Sequence, residues 1–187
     1  KALKKTHEVF VPAKEKYFYR FNPLTDENKG DLNFTNTRLS PKSLLFPQSE
    51  RIFEYTLDEE SSDAHIVKES SKDYPSTVII GIRPCDAKAM RLVDVNFNNP
   101  EFKDPWWVKH LESMTFIGLG CNEPCSTCFC TSVGCGSFNE EGLDVLLFDL
   151  GENFLARALT PKGEELLKQG GVDKDADSGL KKKADEL

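Results

Sequence analysis

The sequence predicts a mixed α/β fold, with a central mixed sheet, flanking helices and a cysteine-rich loop at one edge of the sheet. Two short, continuous apolar runs, at 77–82 and 115–119, are typical of strands that are buried on both faces. Helical patterns lie between them at 87–95 and 104–111, and this strand–helix–helix–strand order favours a parallel pair. A cysteine follows the end of each run, so one edge of the predicted sheet carries thiols.

Shorter signals predict the elements that precede these strands. The alternating, aromatic-rich segment 9–21 predicts a hairpin or two short strands. Ser40 and Pro41 are placed to cap and begin a short helix, which Pro47 ends. Residues 52–56 have the apolar and aromatic composition of a strand.

The later elements follow from caps and turn residues. Asp104 is the expected cap of the helix at 104–111, and residues 143–159 predict a hairpin around Gly151–Glu152. Thr160 is expected to cap a last helix, which glycines end. Because the remainder is polar and charged, we expect a cysteine-bearing domain at 1–170 and a charged tail or linker at 171–187.

Composition limits the functions that the chain can have. Its 187 residues are 39% hydrophobic and 29% charged, which is typical of a globular domain. A formal net charge of −7 gives no support to a nucleic-acid partner. No apolar stretch approaches the ~20 residues that a bilayer-spanning helix needs, and no apolar segment of a signal peptide follows the lysine-rich start. We therefore expect a cytoplasmic protein without membrane insertion.

The cysteines carry the functional signal, because cytosolic thiols seldom form structural disulfides. Of six cysteines, five lie within 121–135 with the spacing C-x3-C-x2-C-x-C-x4-C, and Cys85 stands apart. Cys85 and Cys121 follow the two apolar runs. Since neighbouring parallel strands lie ~4.8 Å apart, we expect both thiols at one edge of the sheet, with the loop 125–135 folded over them.

Four converging thiolates can hold an iron–sulfur cluster or a structural zinc ion. We favour iron–sulfur because Cys125-x2-Cys128 is only half of a zinc knuckle and the other spacings are irregular. Redox-active thiols remain a further alternative. The neighbouring glycines are expected to let backbone amides approach the sulfur atoms; they are Gly118, Gly120, Gly134 and Gly136.

Several short motifs resemble one family of redox proteins. They are Arg83-Pro-Cys-Asp86, Cys121-Asn-Glu-Pro124, Cys128-Phe-Cys-Thr-Ser132 and Gly142-Leu-Asp144, with further similarity at 40–47 and 151–155. Together they resemble the N-terminal domain of a family that contains the iron–sulfur β subunits of sulfhydrogenase-type nickel–iron hydrogenases and the related iron–sulfur subunits of anaerobic sulfite reductases. The resemblance extends from about residue 9 to residue 167.

The resemblance implies an electron-transfer component rather than a catalyst on its own. It implies one 4Fe-4S cluster, partners that are flavin- or cluster-containing subunits of a redox complex, and a downstream ferredoxin-like domain. Carried over by motif, the ligands are Cys85, Cys121, Cys128 and Cys130. Cys128 and Cys130 are close together in sequence, so Cys125 is the first replacement, and Cys135 falls outside the motif. The alternative function is a zinc-stabilised protein-interaction module.

Two further residue types are assigned from their positions. Arg83 and Lys88 place positive charge beside the expected cluster and are candidates for tuning its potential. Trp106 and Trp107 are expected to pack in the core. No catalytic triad or nucleotide-binding motif is visible in the sequence.

Overall fold

Six strands form the central sheet of this computed structural model, which describes residues 2–172 and 174–187. In chain order the strands are β1 (Glu8–Lys14), β2 (Tyr19–Pro23), β3 (Phe53–Glu54), β4 (Lys68–Glu69), β5 (Thr77–Ile82), β6 (Met114–Leu119), β7 (Val145–Asp149) and β8 (Phe154–Ala158). The sheet order is β2-β1-β5-β6-β7-β8, while β3 and β4 pair separately. Strands β1, β5, β6 and β7 run parallel, and β2 and β8 are antiparallel edges. The mixed α/β prediction is confirmed.

Helices cover both faces of the sheet. They are α1 (Lys42–Leu45), α2 (Pro84–Phe97), α3 (Pro105–Ser113), α4 (Pro161–Gln169) and α5 (Ser178–Asp185), with short 3-10 helices at Leu3–Lys5 and Cys130–Val133. On one face, Ile79 and Phe116 pack in a core that includes Trp107 of α3. On the other face, Val78 and Val145 pack with residues of α4.

The parallel pair β5–β6 determines where the thiols lie. Thr77 pairs with Met114, and the register continues to Ile80 and Ile117 before it shifts at Gly81. Gly81 has a φ of +89°, a conformation that glycine adopts without strain. The shift is a local bulge, and beyond it β5 leads directly into Arg83 and α2.

Two predicted caps are confirmed by their hydrogen bonds. The Asp104 carboxylate accepts from the N–H groups of Trp106 at 2.9 Å and Trp107 at 3.1 Å. The Thr160 hydroxyl oxygen accepts from Gly163 N–H at 3.1 Å. Each cap satisfies N–H groups that lack a partner within their own helix.

The predicted cap of α1 is wrong. The helix begins at Lys42 with Pro41 in the capping position and no capping side chain. The Ser40 hydroxyl donates instead to Asp86 Oδ1 at 2.8 Å, and only a long 3.4 Å contact joins it to Lys42 N–H. Ser40 therefore connects the 40–47 segment to the start of α2.

Two other elements differ from the sequence prediction. Helix α2 begins at Pro84 rather than near residue 87, so Cys85 lies inside its first turn. The segment predicted as a tail forms α5, whose Ala184 is buried and joins the core beside half-buried Leu180. The domain boundary at 170 stays a prediction.

Within the described residues, no helix is both long enough and apolar enough to span a membrane.

Candidate metal centre

Cys85 and Cys121 lie at the same edge of the sheet, as predicted. This edge is the end of the sheet at which the parallel strands finish, and not one of its two edge strands. Cys85 is the second residue of α2, directly after the end of β5, and Cys121 follows the end of the neighbouring strand β6. Because β5 and β6 are parallel neighbours, their carboxyl ends meet at this edge. In open α/β sheets, ligands bind outside the carboxyl ends of the strands.

A cavity of about 430 Å³ lies at this edge. Its wall contains Cys85, Cys121, Cys125, Cys128 and Cys130, together with apolar residues such as Leu92 and Phe129. The structure therefore brings all of the predicted ligands to one cavity, and it brings Cys125 there as well. Cys135 is not part of this wall; it is buried, and its thiol donates to the carbonyl of Gly136 at 3.6 Å.

Short turns hold the cysteine-rich loop over the cavity. Cys128 N–H donates to Cys125 O at 3.0 Å, and Cys135 N–H donates to Cys130 O at 2.9 Å, across the 3-10 helix. Cys121 N–H donates to Ser137 O at 3.0 Å and so fixes both ends of the loop to each other. The loop backbone is thus shaped by its own hydrogen bonds.

Arg83 connects the strand ends that carry the thiols. Its side chain is buried, and its guanidinium donates to the carbonyls of Thr35 at 3.1 Å, Leu119 at 3.3 Å and Gly120 at 2.5 Å, and also to that of Phe34. The guanidinium carbon lies 4.5 Å from the centre of the Phe34 ring. Burial lowers the pKa of Arg83, and the nearby thiol groups of Cys121 and Cys85 act in the opposite direction. An arginine stays charged in such a setting, so a cation is fixed beside the thiols.

The thiols of the site differ in acidity. Although Cys85 is exposed as a residue, partial burial of its thiol, together with the charge of Asp86, raises the pKa of Cys85 to about 11. The Thr127 hydroxyl and then the Cys128 thiol, as hydrogen-bond partners, lower the pKa of Cys125 to about 7. The hydrogen bond with Cys125 raises the pKa of Cys128, and burial raises that of Cys135. Among Cys85, Cys125, Cys128 and Cys135, only Cys125 has a lowered pKa.

Two charged groups complete the surroundings of the cavity. Lys88 Nζ lies 2.5 Å from Glu141 Oε2, and its side chain is only 16% exposed, so the predicted positive charge is paired with a carboxylate. Burial raises the pKa of Asp86, while the hydrogen bond from Ser40 acts against this rise. Arg83 is thus the better candidate for tuning a bound group.

Two of the four glycines are needed for packing beneath the site. A Cβ atom on Gly118 would collide with the Leu143 side chain, and one on Gly120 would collide with the Phe138 ring. The N–H of Gly120 donates to Leu147 O at 2.9 Å. Gly134 has a φ of +67° and ends the 3-10 helix in the left-handed conformation.

Sequence reasoning missed the contribution of the 34–40 segment. Thr35 and Asn36 line the cavity, and Phe34 and Thr35 accept hydrogen bonds from Arg83. Nothing in this polar stretch indicates a long-range contact, because the interaction uses its backbone carbonyls. The one sequence signal was the resemblance at 40–47, which borders the segment.

The described residues contain no group of three or more His, Cys, Asp or Glu side chains close enough to hold a single metal ion. The thiols are instead distributed around the wall of the cavity. A tetrahedral zinc site needs four ligands within ~2.3 Å of one ion. A polynuclear iron–sulfur core is held at its periphery by four separate thiolates, and the cavity wall contains five thiols of that chemical type.

Comparison with known proteins gives one informative match. Sulfhydrogenase 2 subunit beta of Pyrococcus furiosus is 28% identical to this chain over 166 residues, which are 88% of this chain. This similarity agrees with the resemblance that the sequence motifs carry. The match covers 46% of that protein, so this chain spans less than half of its length. No family model and no solved structure matches the chain.

Proposed function

We propose that this chain is an iron–sulfur electron-transfer subunit or domain of a cytoplasmic multi-subunit oxidoreductase of the hydrogenase or sulfite-reductase type. The supporting observation is the convergence of Cys85, Cys121, Cys125, Cys128 and Cys130 on one cavity at the carboxyl ends of parallel strands. A 4Fe-4S cluster uses four thiolates. When bound, such a cluster accepts and donates single electrons.

The proposed ligands are Cys85, Cys121, Cys128 and Cys130, with Cys125 as the replacement for one of the loop cysteines. Cys85 and Cys121 are held by the strand ends, whereas the others belong to a loop whose backbone bonds are local. We expect the loop thiols to adjust to the group that binds. Rigid thiols on one side and adaptable thiols on the other allow the site to close around its cofactor.

The rest of the chain provides charge, insulation and contact surface. Arg83 holds a fixed positive charge beside the thiols. The side chains of Leu92, Phe129 and Val133 line the cavity mouth, and they are 49%, 70% and 41% exposed. Exposed apolar groups beside a redox centre are suited to docking a partner, since they exclude water on contact. We propose that this rim faces a flavin- or cluster-containing subunit.

A series of cysteine variants tests this proposal. We expect Cys121→Ser and Cys128→Ser, purified anaerobically as full chains, to lose most of their bound iron, because each removes a thiolate ligand. Cys135→Ser is the matched control and should retain it, since Cys135 lies outside the cavity wall. Iron and acid-labile sulfide per chain are the readouts. Equal iron loss in all three variants would disprove the ligand assignment.

One observation favours the alternative of a zinc-stabilised interaction module. The Cys125 and Cys128 sulfur atoms lie 3.2 Å apart, so a small outward movement would bring them to the spacing of ~3.8 Å that two tetrahedral zinc ligands have. A zinc protein is colourless and contains no sulfide, so the same metal and sulfide analysis separates the two functions.

A further inference from the structure

Cys125 and Cys128 form a contacting pair of thiols on an exposed part of the loop. Their sulfur atoms lie 3.2 Å apart in a thiol–thiol hydrogen bond, and both residues are exposed. Between the thiols of the described residues, this is the one hydrogen bond of its kind. Reagents in solution can therefore reach both sulfur atoms at once.

The backbone of this pair already suits a disulfide. Cys128 N–H donates to Cys125 O at 3.0 Å, which is the hydrogen bond of a tight turn. The Cα atoms at the two ends of such a turn are less than ~7 Å apart, and a disulfide requires a Cα separation of ~4.4–6.8 Å. The sulfur atoms must approach by only ~1 Å to reach the bonding distance of ~2.05 Å.

We propose that Cys125 and Cys128 form a thiol–disulfide exchange site whose co-substrate is a low-molecular-weight disulfide. One cysteine thiolate attacks a sulfur atom of the external disulfide, which releases one thiol and leaves a mixed disulfide on the protein. The second cysteine attacks the protein sulfur of this mixed disulfide and releases the second thiol. The two cysteine protons end on the released thiols. The pair is oxidised by two electrons, and the external disulfide is reduced by the same two.

The other cysteines are less suited to this reaction. Cys135 is buried and its thiol donates to a backbone carbonyl, so an external disulfide cannot reach it in the folded chain. Cys85 and Cys121 are attached to the ends of separate strands, whose positions are fixed by the sheet and by Arg83. Cys85 is exposed and Cys130 is half-buried, but among the described residues neither thiol is hydrogen-bonded to another thiol. We therefore expect the exchange at Cys125 and Cys128.

The effect of a Cys125–Cys128 disulfide on cluster binding rests on the proposed function. Because Cys128 cannot bind iron while it is bonded to Cys125, the disulfide and the complete ligand set exclude each other. Oxidation of the pair would leave the chain unable to load a cluster, and reduction would restore loading.

The test uses the iron-free full chain with glutathione disulfide as the probe. After reaction and alkylation of the remaining thiols, peptide mass spectrometry should find a Cys125–Cys128 disulfide, with the mass of two hydrogen atoms lost. Cys125→Ser should abolish this link, and Cys135→Ser should leave it unchanged. Full alkylation of both residues, or a link to any other cysteine, would overturn the proposal.

A second measurement distinguishes a failure of the exchange-site proposal from a failure of the proposed iron–sulfur function. The oxidised chain is supplied anaerobically with iron and sulfide, before and after treatment with dithiothreitol. Loading only after reduction is the expected result. Equal loading in both states would overturn the exclusion between disulfide and ligand. A chain that loads iron in neither state would disprove the iron–sulfur function while leaving the mass-spectrometric test of the exchange site intact.

Discussion

Arg83 combines a structural and an electrostatic contribution in a single side chain. Its guanidinium joins carbonyl groups of the 34–35 segment to those of Leu119 and Gly120 at the end of β6. Removing a buried donor leaves its acceptors unsatisfied, which costs more than the bond itself contributes. The same group places a positive charge near Cys85 and Cys121. A positive charge stabilises the reduced, more negative state of a bound cluster.

We predict different effects for Arg83→Met and Arg83→Lys. The methionine variant should lose about 3 kcal/mol of unfolding free energy, because several carbonyls lose their donor. It should also make the cluster potential more negative. The lysine variant keeps the charge but not the planar set of donors, so its potential should stay close to that of the wild type. Chemical denaturation and an anaerobic redox titration measure the two quantities.

The outcome for the lysine variant decides between the two contributions. If the potentials of the methionine and lysine variants shift equally, the charge of Arg83 does not tune the site. The lysine variant also serves as the folded comparison if Arg83→Met is too unstable to purify.

The acidities of the thiols give a second prediction about single residues. With a pKa of about 7 for Cys125 and about 11 for Cys85, the thiolate fractions at pH 8 differ by roughly a thousandfold. A thiolate of lower pKa is intrinsically less nucleophilic, which reduces this advantage by roughly 60-fold. We therefore expect iodoacetamide to alkylate Cys125 at least about tenfold faster than Cys85 in the iron-free chain. Timed alkylation with peptide mass spectrometry measures both rates, and faster labelling of Cys85 would contradict the hydrogen-bonding account of Cys125.

At the scale of elements, α4 depends on a glycine in its first turn. A Cβ atom on Gly163 would lie far inside contact distance of the Asp144 carbonyl oxygen. The close approach places α4 against the start of β7, and the Thr160 hydroxyl donates to Asp144 Oδ1 at 2.7 Å in the same region. Packing, rather than helix propensity, therefore determines this residue.

We predict that Gly163→Ala lowers the free energy of unfolding by about 1–3 kcal/mol, because the new methyl group meets backbone that cannot move aside. Helix propensity alone predicts the opposite sign, since alanine is favoured over glycine by ~1 kcal/mol in a helix. Gly179→Ala in α5 is the matched control, because its nearest neighbour is the movable Asp177 side chain. Denaturant titration measures the free energy of unfolding of both variants. A Gly163→Ala variant that is more stable than the wild type would contradict the packing argument.

Strands β5 and β6 and their parallel pairing could be predicted because continuous apolar runs mark strands buried on both faces. Asp104 and Thr160 were predictable as caps because each precedes a proline that begins a helix. The Ser40 prediction failed for a physical reason: its hydroxyl finds a partner in Asp86, which is distant in sequence. Helix α5 was missed because it buries little apolar surface of its own, although Leu180 and Ala184 have the spacing of one helical face.

The candidate site was only partly predictable. That Cys85 and Cys121 share an edge follows from the direction of two strands, so the sequence sufficed. The contact between the Cys125 and Cys128 thiols depends on loop hydrogen bonds that spacing alone does not determine. The environment of Arg83 is set by backbone carbonyls, which carry no sequence signal.

At the scale of the whole molecule, the core and the candidate site lie on different parts of the sheet. Both faces are covered by helices and filled by apolar side chains. The carboxyl edge of β5 and β6 is left for the cavity and its thiols. A rigid sheet thus fixes Cys85 and Cys121, and a locally bonded loop supplies the remaining donors. This division would allow the chain to hold the proposed cofactor and still present it at the surface.

Anaerobic purification of the full chain, followed by determination of iron, acid-labile sulfide and zinc, tests this account most directly. We predict about four iron and about four sulfide per chain, with a broad visible absorption that a strong reductant bleaches. A colourless chain that binds zinc and contains no sulfide would contradict the account.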